Sequence, residues 1–269
     1  MHKGVIPSSV TEINLLRFLH KIASNMPNNI ANRLKVIGKD INDIEDFLDF
    51  ICGEDEGVII DFNNIVPMPQ CLKDTEESTR SFDGVQYYLQ QVGETELLKQ
   101  LKPYFAPLKD FSSYDKEKLE ELYAIGERYY NNYKECGYFT WYKWSIDNWG
   151  TKWNAYETTT SDVNDENTHI IYFQTAWNGV PDIIATLTEK YPDLTFDYAY
   201  ADEDMGSNCG EGYGEDGEFT FRYVPSGDDA MELFIKAWDY DADDFYQDDD
   251  GEWHNREWDE DEDDEEDDE

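Results

Sequence analysis

The order of apolar spacings after residue 150 is what most limits the folds open to this chain. Residues Trp153–Thr160 are aromatic and β-branched, and His169–Trp177 alternates Ile171, Phe173, Thr175 and Trp177. Such period-2 runs bury one face of a strand, and the polar stretch Asp162–Asn167 between them predicts a hairpin. Helical spacing follows in Val180, Ile183, Ile184, Leu187 and Tyr191, with Pro181 at its start and Pro192 at its end. Proline fits the first helical turn because the N–H it lacks would be unpaired there anyway. Leu194, Phe196, Tyr198 and Tyr200 alternate again, and so do Phe219, Phe221 and Tyr223. The glycine-rich stretch Asp202–Asp216 between them reads as a loop. Ser226 is placed to cap a last helix with Met231, Phe234, Ile235 and Trp238 on one stripe.

Upstream, Ile30–Ile37 carries Ile30, Leu34 and Val36 on one face and Arg33 and Lys35 on the other, a half-buried strand. Asp40 is a natural N-cap for a helix striped by Ile41, Ile44, Leu48 and Ile51. Pro67 and Pro69 then exclude a helix around them, and residues 72–82 read as a polar linker. Segment 83–136 has helical patterns, including Leu119, Leu122, Ile125, Tyr129 and Tyr133. The fold class that follows is α+β. It is a ferredoxin-like βαββαβ antiparallel sheet with two helices on one face, interrupted by a helical insertion at about 83–136. An N-terminal extension over 1–25 holds an amphipathic helix at 9–24, the main domain spans 26–238, and residues 239–269 form an acidic tail.

Charge restricts function more than it restricts fold. The chain has 62 acids against 21 Lys and Arg, a net charge of −41. From Asp239 to Glu269 there are 20 acids and one base, Arg256, a balance of −19; the other 238 residues hold 42 acids and 20 bases, a balance of −22. The tail is too acidic to bury and is expected to be disordered. An acidic body with an acidic tail repels phosphate backbones and anionic lipid, so direct nucleic-acid or membrane binding is disfavoured. No apolar run is long enough to span a bilayer, and Met1–Ser24 lacks a signal-peptide layout. Cys52, Cys71, Cys136 and Cys209 are scattered without a close pair and read as reduced thiols of a cytoplasmic protein.

Three constellations stand out. Trp144–Tyr156 holds Asn148, Trp149, Lys152, Trp153 and Asn154, and Trp177 follows at the end of a strand. Indole rings beside amides and an amine make a ligand or partner pocket. The competing reading is a structural corner whose rings fill the core. Asp202, Glu203 and Asp204 form an acidic triple, and Asp241, Asp243, Asp244, Asp248, Asp249 and Asp250 form a second acidic group. Both are candidate contacts for a basic partner, and both also read as solvated segments. Asp239, Asp241, Asp243 and Asp250 have EF-hand spacing, but position 6 is Asp244 rather than Gly and position 12 lacks the longer Glu. No metal site and no cofactor are expected. His2, His20, His169 and His254 lie far apart, and no nucleophile motif is present, so catalytic residues are not assigned.

Several unusual words carry a resemblance. Met26–Gly38, Asp61–Pro69, Trp144–Tyr156, Phe173–Trp177 with Pro181, and Phe196–Glu203 with its Gly-rich continuation are similar, in order, to blocks of the YubB/Api92-like family of plasmid and phage proteins. The resemblance covers roughly residues 26–224, with the first 25 residues and the acidic tail outside the shared pattern. It implies a ferredoxin-like fold and carriage on mobile elements, and it brings no activity. Charge and resemblance together lead to the expectation of a non-enzymatic acidic binding protein. Its partner would be a basic or nucleic-acid-binding host protein, engaged by imitating the phosphate field of DNA. The alternative expectation is a small-ligand module or enzyme built on the Trp-rich corner.

Overall fold

A computed structural model describes residues 28–55, 57–101, 108–161 and 167–256. The expected helix over 9–24 and the acidic residues beyond 256 lie outside them. In chain order the elements are β1 (Asn29–Ile37), α1 (Ile41–Ile51), α2 (Phe62–Ile65), α3 (Gln70–Lys73), α4 (Thr79–Val92), α5 (Thr95–Leu101), α6 (Lys116–Cys136) and α7 (Trp141–Trp149). Then follow β2 (Tyr156–Ser161), β3 (Thr168–Ala176), α8 (Pro181–Lys190), β4 (Thr195–Asp202), β5 (Cys209–Glu215), β6 (Glu218–Val224) and α9 (Asp228–Trp238). A short hairpin, β7 (Phe245–Gln247) and β8 (Trp253–Asn255), comes last.

The strands form one antiparallel sheet in the order β2-β3-β1-β4-β5-β6. β1 is central, pairing with β3 on one side and β4 on the other. Its even-numbered residues Ile30, Leu34 and Val36 join Phe173, Phe196 and Tyr198 in the main core. Ile44, Phe47 and Ile51 of α1 and Ile183, Ile184 and Leu187 of α8 cover that face. The opposite face presents Ala31, Ala199, Ala201 and Cys209, whose short side chains make room for Met231 and Phe234 of α9. The protein is therefore α+β with a ferredoxin-like domain, and helices lie on both faces of its sheet. Asp40 caps α1 by accepting from the Asn42 and Asp43 amides. Ser226 does not cap α9: that position falls to Gly227 at φ 95°, which binds no helix amide through a side chain.

Residues 209–215, expected in a loop, form β5 between β4 and β6. The alternation was hidden because every second residue (Gly210, Gly212, Gly214) has no side chain. A Cβ on Gly212 would stand 2.3 Å from Phe219 Cζ, and one on Gly210 would stand 2.6 Å from the Tyr200 ring. Rings of the flanking strands occupy the space that β5 side chains would fill.

Nor does disorder begin at Asp239. That residue ends α9 in the left-handed region at φ 59° and accepts from the Tyr172 hydroxyl at 2.7 Å. Phe245 of the β7–β8 hairpin is buried against Phe234 of α9, ring centres 6.0 Å apart. Net charge described this segment poorly, because three rings spaced among the acids (Phe245, Tyr246 and Trp253) give it something to bury.

The insertion builds a satellite core from Val85, Tyr88, Leu89, Leu98 and Tyr129. Its helices α4 and α6 touch at glycines, where a Cβ on Gly126 would be 2.1 Å from the Gly84 carbonyl oxygen. Cys71 and Cys136, 65 residues apart, bring their Sγ atoms to 3.8 Å, and burial pushes the Cys71 thiol up to about 11. The expected absence of a close cysteine pair held for the sequence and not for the fold.

Candidate functional site

The Trp-rich corner is set by the end of α7. Trp144, Ser145 and Trp149 are buried, and Gly150 stops the helix in the left-handed region at φ 78°. Ser145 Oγ donates to the Lys152 carbonyl at 2.9 Å, and Thr151 Oγ1 both donates to the Ala176 carbonyl and accepts from its amide. The turn is thereby clamped to the end of β3. Trp149 donates Nε1–H to the Val66 carbonyl at 2.9 Å and meets Trp144 and Phe62 edge-on, at 5.2 and 5.9 Å. Asn148 donates to the Trp144 carbonyl one turn back. Asn154 accepts from the Phe62 and Ala155 amides and donates to Asp61 Oδ1. These three expected ligand contacts are thus used internally, Trp149 for packing and the two Asn side chains for loop hydrogen bonds.

Lys152, Trp153 and Trp177 are placed differently. Lys152 Nζ stands 4.3 Å from the Trp153 ring centre and 5.0 Å from that of Trp177. No described carboxylate pairs with it, whereas most of the described lysines and arginines have one. Two indole faces stabilise the ammonium, while burial lowers its pKa from the usual lysine value. Trp177 adopts φ 74°, which is strained for a bulky residue. Its amide donates to the Asn28 carbonyl and its carbonyl accepts from Asn208 Nδ2, so it is held from both sides. Trp153 is 39% exposed, and Tyr142 meets Trp177 edge-on at 6.3 Å.

The acidic triple closes the same end of the sheet. Asp202 is 3% exposed and accepts from Asn28 Nδ2 at 2.8 Å and Asn208 Nδ2 at 3.1 Å. It ties β1 to the 202–208 turn and is not open to a partner, which corrects its expected role. Glu203 and Asp204 are exposed and accept from Asn29 and Asn28. Tyr156, absent from the sequence-based candidates, donates to Asn29 Oδ1 at 2.7 Å, and burial followed by the charges of Glu203 and Glu157 pushes its phenol up to about 12. Glu77 was also missed. Burial raises its carboxyl above the usual range against the Thr140 hydroxyl that donates to it, and its charge reaches Tyr142. No spacing rule could have found Glu77, which joins the corner only through tertiary packing, and Tyr156, which ends the Trp-rich stretch itself, is singled out only by its tertiary partner Asn29. Chemically the corner offers one ammonium under two indole faces and a carboxyl biased toward its neutral form.

The second acidic group is divided by the terminal hairpin. Asp241 accepts from the Asp243 amide, and Asp248 accepts from the Asp250 and Glu252 amides and lies 3.2 Å from His254 Nε2. Asp243, Asp249 and Asp250 are exposed, and Asp244 is partly buried. The EF-hand spacing becomes a 3₁₀ turn and a strand, so its carboxylates do not converge. Among the described residues no group of three or more His, Cys, Asp or Glu is placed to hold a metal ion. None of their helices is long and apolar enough to cross a membrane. Two shallow depressions of about 250 and 200 Å³ lie beside Arg222 and Asp229 and beside Lys39 and Asp193, and neither includes a residue of the corner.

Residues 149–268 match the family model described as the ferredoxin-like domain in Api92-like protein. The match begins at Trp149 and runs through the acidic stretch, so that stretch lies inside the family pattern, against expectation. The blocks at 26–38 and 61–69 precede the matched range. Among solved structures the chain is similar to the crystal structure of a protein api92 from Yersinia pseudotuberculosis, with 11% identity, 75% of this chain and 98% of that chain covered, and a TM-score of 0.38. No curated protein matches the sequence.

Proposed function

Taking the chain as an Api92-like family member, we propose that it is a non-enzymatic binding protein whose carboxylates occupy the basic, nucleic-acid-binding surface of another protein. One observation carries the reading. With 62 acids and 21 Lys and Arg, 62 − 21 leaves at least 41 carboxylates without a basic partner even if every cation were paired once. Several cations are already engaged: Lys39 with Asp193, Arg80 with Glu121, Lys109 with Asp83, Lys143 with Asp147 and Arg222 with Glu211 and Asp229. What the protein offers solvent is a net anionic field on a rigid sheet-and-helix body, which is what a phosphate-binding cleft recognises. Carriage by a phage or plasmid, implied by the resemblance, makes a host nuclease, defence or replication factor the natural target, reached in the cytoplasm.

The test is capture from a host lysate, with the full chain beside a 1–256 truncation that keeps the terminal hairpin. The captured protein is then titrated with salt and duplex DNA. The reading expects one dominant nucleic-acid-binding protein, displaced by DNA, whose affinity falls at least tenfold between about 0.05 and 0.3 M salt. Binding that ignores salt, or a partner that holds DNA and this protein together, would overturn it.

A further inference from the structure

The two outer strands of the sheet are built differently. The pairing of β2 with β3 shifts register between Tyr156 and Thr159, and Glu157 sits at φ 48°. Irregularity of that kind protects an exposed edge against further pairing. β6 has no such protection. It pairs with β5 without a break over all seven residues and contains neither Pro nor Lys. Its one cation, Arg222, is drawn aside onto Glu211 and Asp229. Among the described residues no strand lies on its outer side. Phe221 and Tyr223 are 41% and 45% exposed, and Phe221 stacks on Tyr200 at 6.1 Å over the space left by the β5 glycines.

We propose that β6 is the pairing edge of a two-fold symmetric dimer, in which the β6 strand of a second copy continues the sheet. The strand is self-complementary in the antiparallel register centred on Phe221. There Phe221 meets its own copy, Phe219 meets Tyr223 of the partner subunit, and Thr220 meets Arg222 of the partner subunit. Glu218 faces Val224 of the partner subunit, so no two like charges are opposed. The strand itself is neutral, with Glu218 balancing Arg222, while the chain as a whole carries −41. Cross-strand aromatic pairs and a new ladder of backbone hydrogen bonds hold such an edge. The general repulsion between copies makes the dimer tighten as salt rises. Partner capture by carboxylates has the opposite salt dependence, so this proposal and the proposed function can fail separately.

Sedimentation equilibrium on the full chain over roughly 1 to 100 μM decides it. A dimer is expected, with Phe221→Asp raising its dissociation constant at least tenfold by placing two carboxylates on the axis. Thr220→Glu adds negative charge yet faces Arg222 of the partner subunit, so it retains or tightens the dimer, while Thr220→Arg weakens it. Circular dichroism confirms that each variant folds. A chain that stays monomeric throughout, or a dimer indifferent to Phe221→Asp, or one weakened by Thr220→Glu, overturns the proposal. So does a monomer whose β6 amides gain exchange protection only from an added foreign peptide, since that would assign the edge to another protein.

Discussion

Glu77 is a carboxyl that the fold holds against its ionised form. Burial raises its pKa, and the hydrogen bond from Thr140 opposes the shift without cancelling it. The folded state therefore binds this proton more readily than the unfolded chain does. Stability from Glu77 is fully present below the ordinary carboxyl range and is lost as pH rises through the folded value. At pH 7 the ionised group is a standing cost. Glu77→Gln keeps an oxygen for the Thr140 hydroxyl and removes the charge, so the melting temperature at pH 7 should rise by on the order of 2 °C. The gain should vanish near pH 4, where the wild-type side chain is already neutral. Scanning calorimetry of both proteins at the two pH values checks this, and an equal gain at both would mean that charge is not the cause. A buried hydroxyl elsewhere is partnered on both counts: Tyr198, 0% exposed, donates to Asn32 Oδ1 at 2.6 Å and accepts from the Val180 amide at 2.7 Å. It joins β1, β4 and the start of α8, and no periodicity in the sequence marks that role.

Between elements, the tightest approach is the crossing of α4 and α6. Gly126→Ala would put a methyl 2.1 Å from the Gly84 carbonyl oxygen and 2.4 Å from Tyr88 Cβ, and backbone cannot yield as a flexible side chain can. The helices must separate, at about 1–3 kcal/mol of lost packing. That corresponds to a fall of roughly 2–10 °C in melting temperature. Amide exchange should accelerate first in α4 and α6, because their core of Val85, Tyr88, Leu89, Leu98 and Tyr129 is separate from the sheet. Unchanged melting and exchange would show that the helices do not cross there. The stripe read along α6 included Leu122, Ile125 and Tyr129, yet Gly126 is the residue at its centre, and a glycine contributes nothing to an apolar pattern. The same blindness concealed β5, whose alternation is of glycine with Cys209, Glu211 and Tyr213. Elements whose alternation is carried by side chains, such as β1, β3, β4 and α8, were legible. In the corner, residue identities announced a cluster around Trp149. Which side chains face outward was decided by partners 80 or more positions away, such as Val66 for Trp149 and Asp61 for Asn154.

For the whole molecule, the question is whether −41 charges stabilise or strain the fold. Two terms compete. Exposed ion pairs such as Lys116–Glu120 and Lys99–Glu96 attract, but each contributes about 0–1 kcal/mol, and salt weakens them. Against them stands the mutual repulsion of at least 41 unpartnered carboxylates. A compact body the size of the described part, roughly 220 residues, has a radius of gyration of about 17 Å. The Debye length is ~30 Å at 0.01 M salt and ~10 Å at 0.1 M. At the lower concentration every carboxylate feels nearly all the others, and at the higher it feels only its neighbours. Unfolding spreads the charges apart, so the repulsion favours the unfolded chain most when screening is weakest. The melting temperature should therefore rise with sodium chloride, by roughly 5 °C between 0.01 and 0.3 M, with most of the gain below 0.1 M. Thermal melts across that range measure it. A falling melting temperature would mean that the ion pairs outweigh the repulsion. The unsatisfied field that drives the proposed partner binding would then be smaller than the composition implies, because both effects draw on the same unpaired carboxylates.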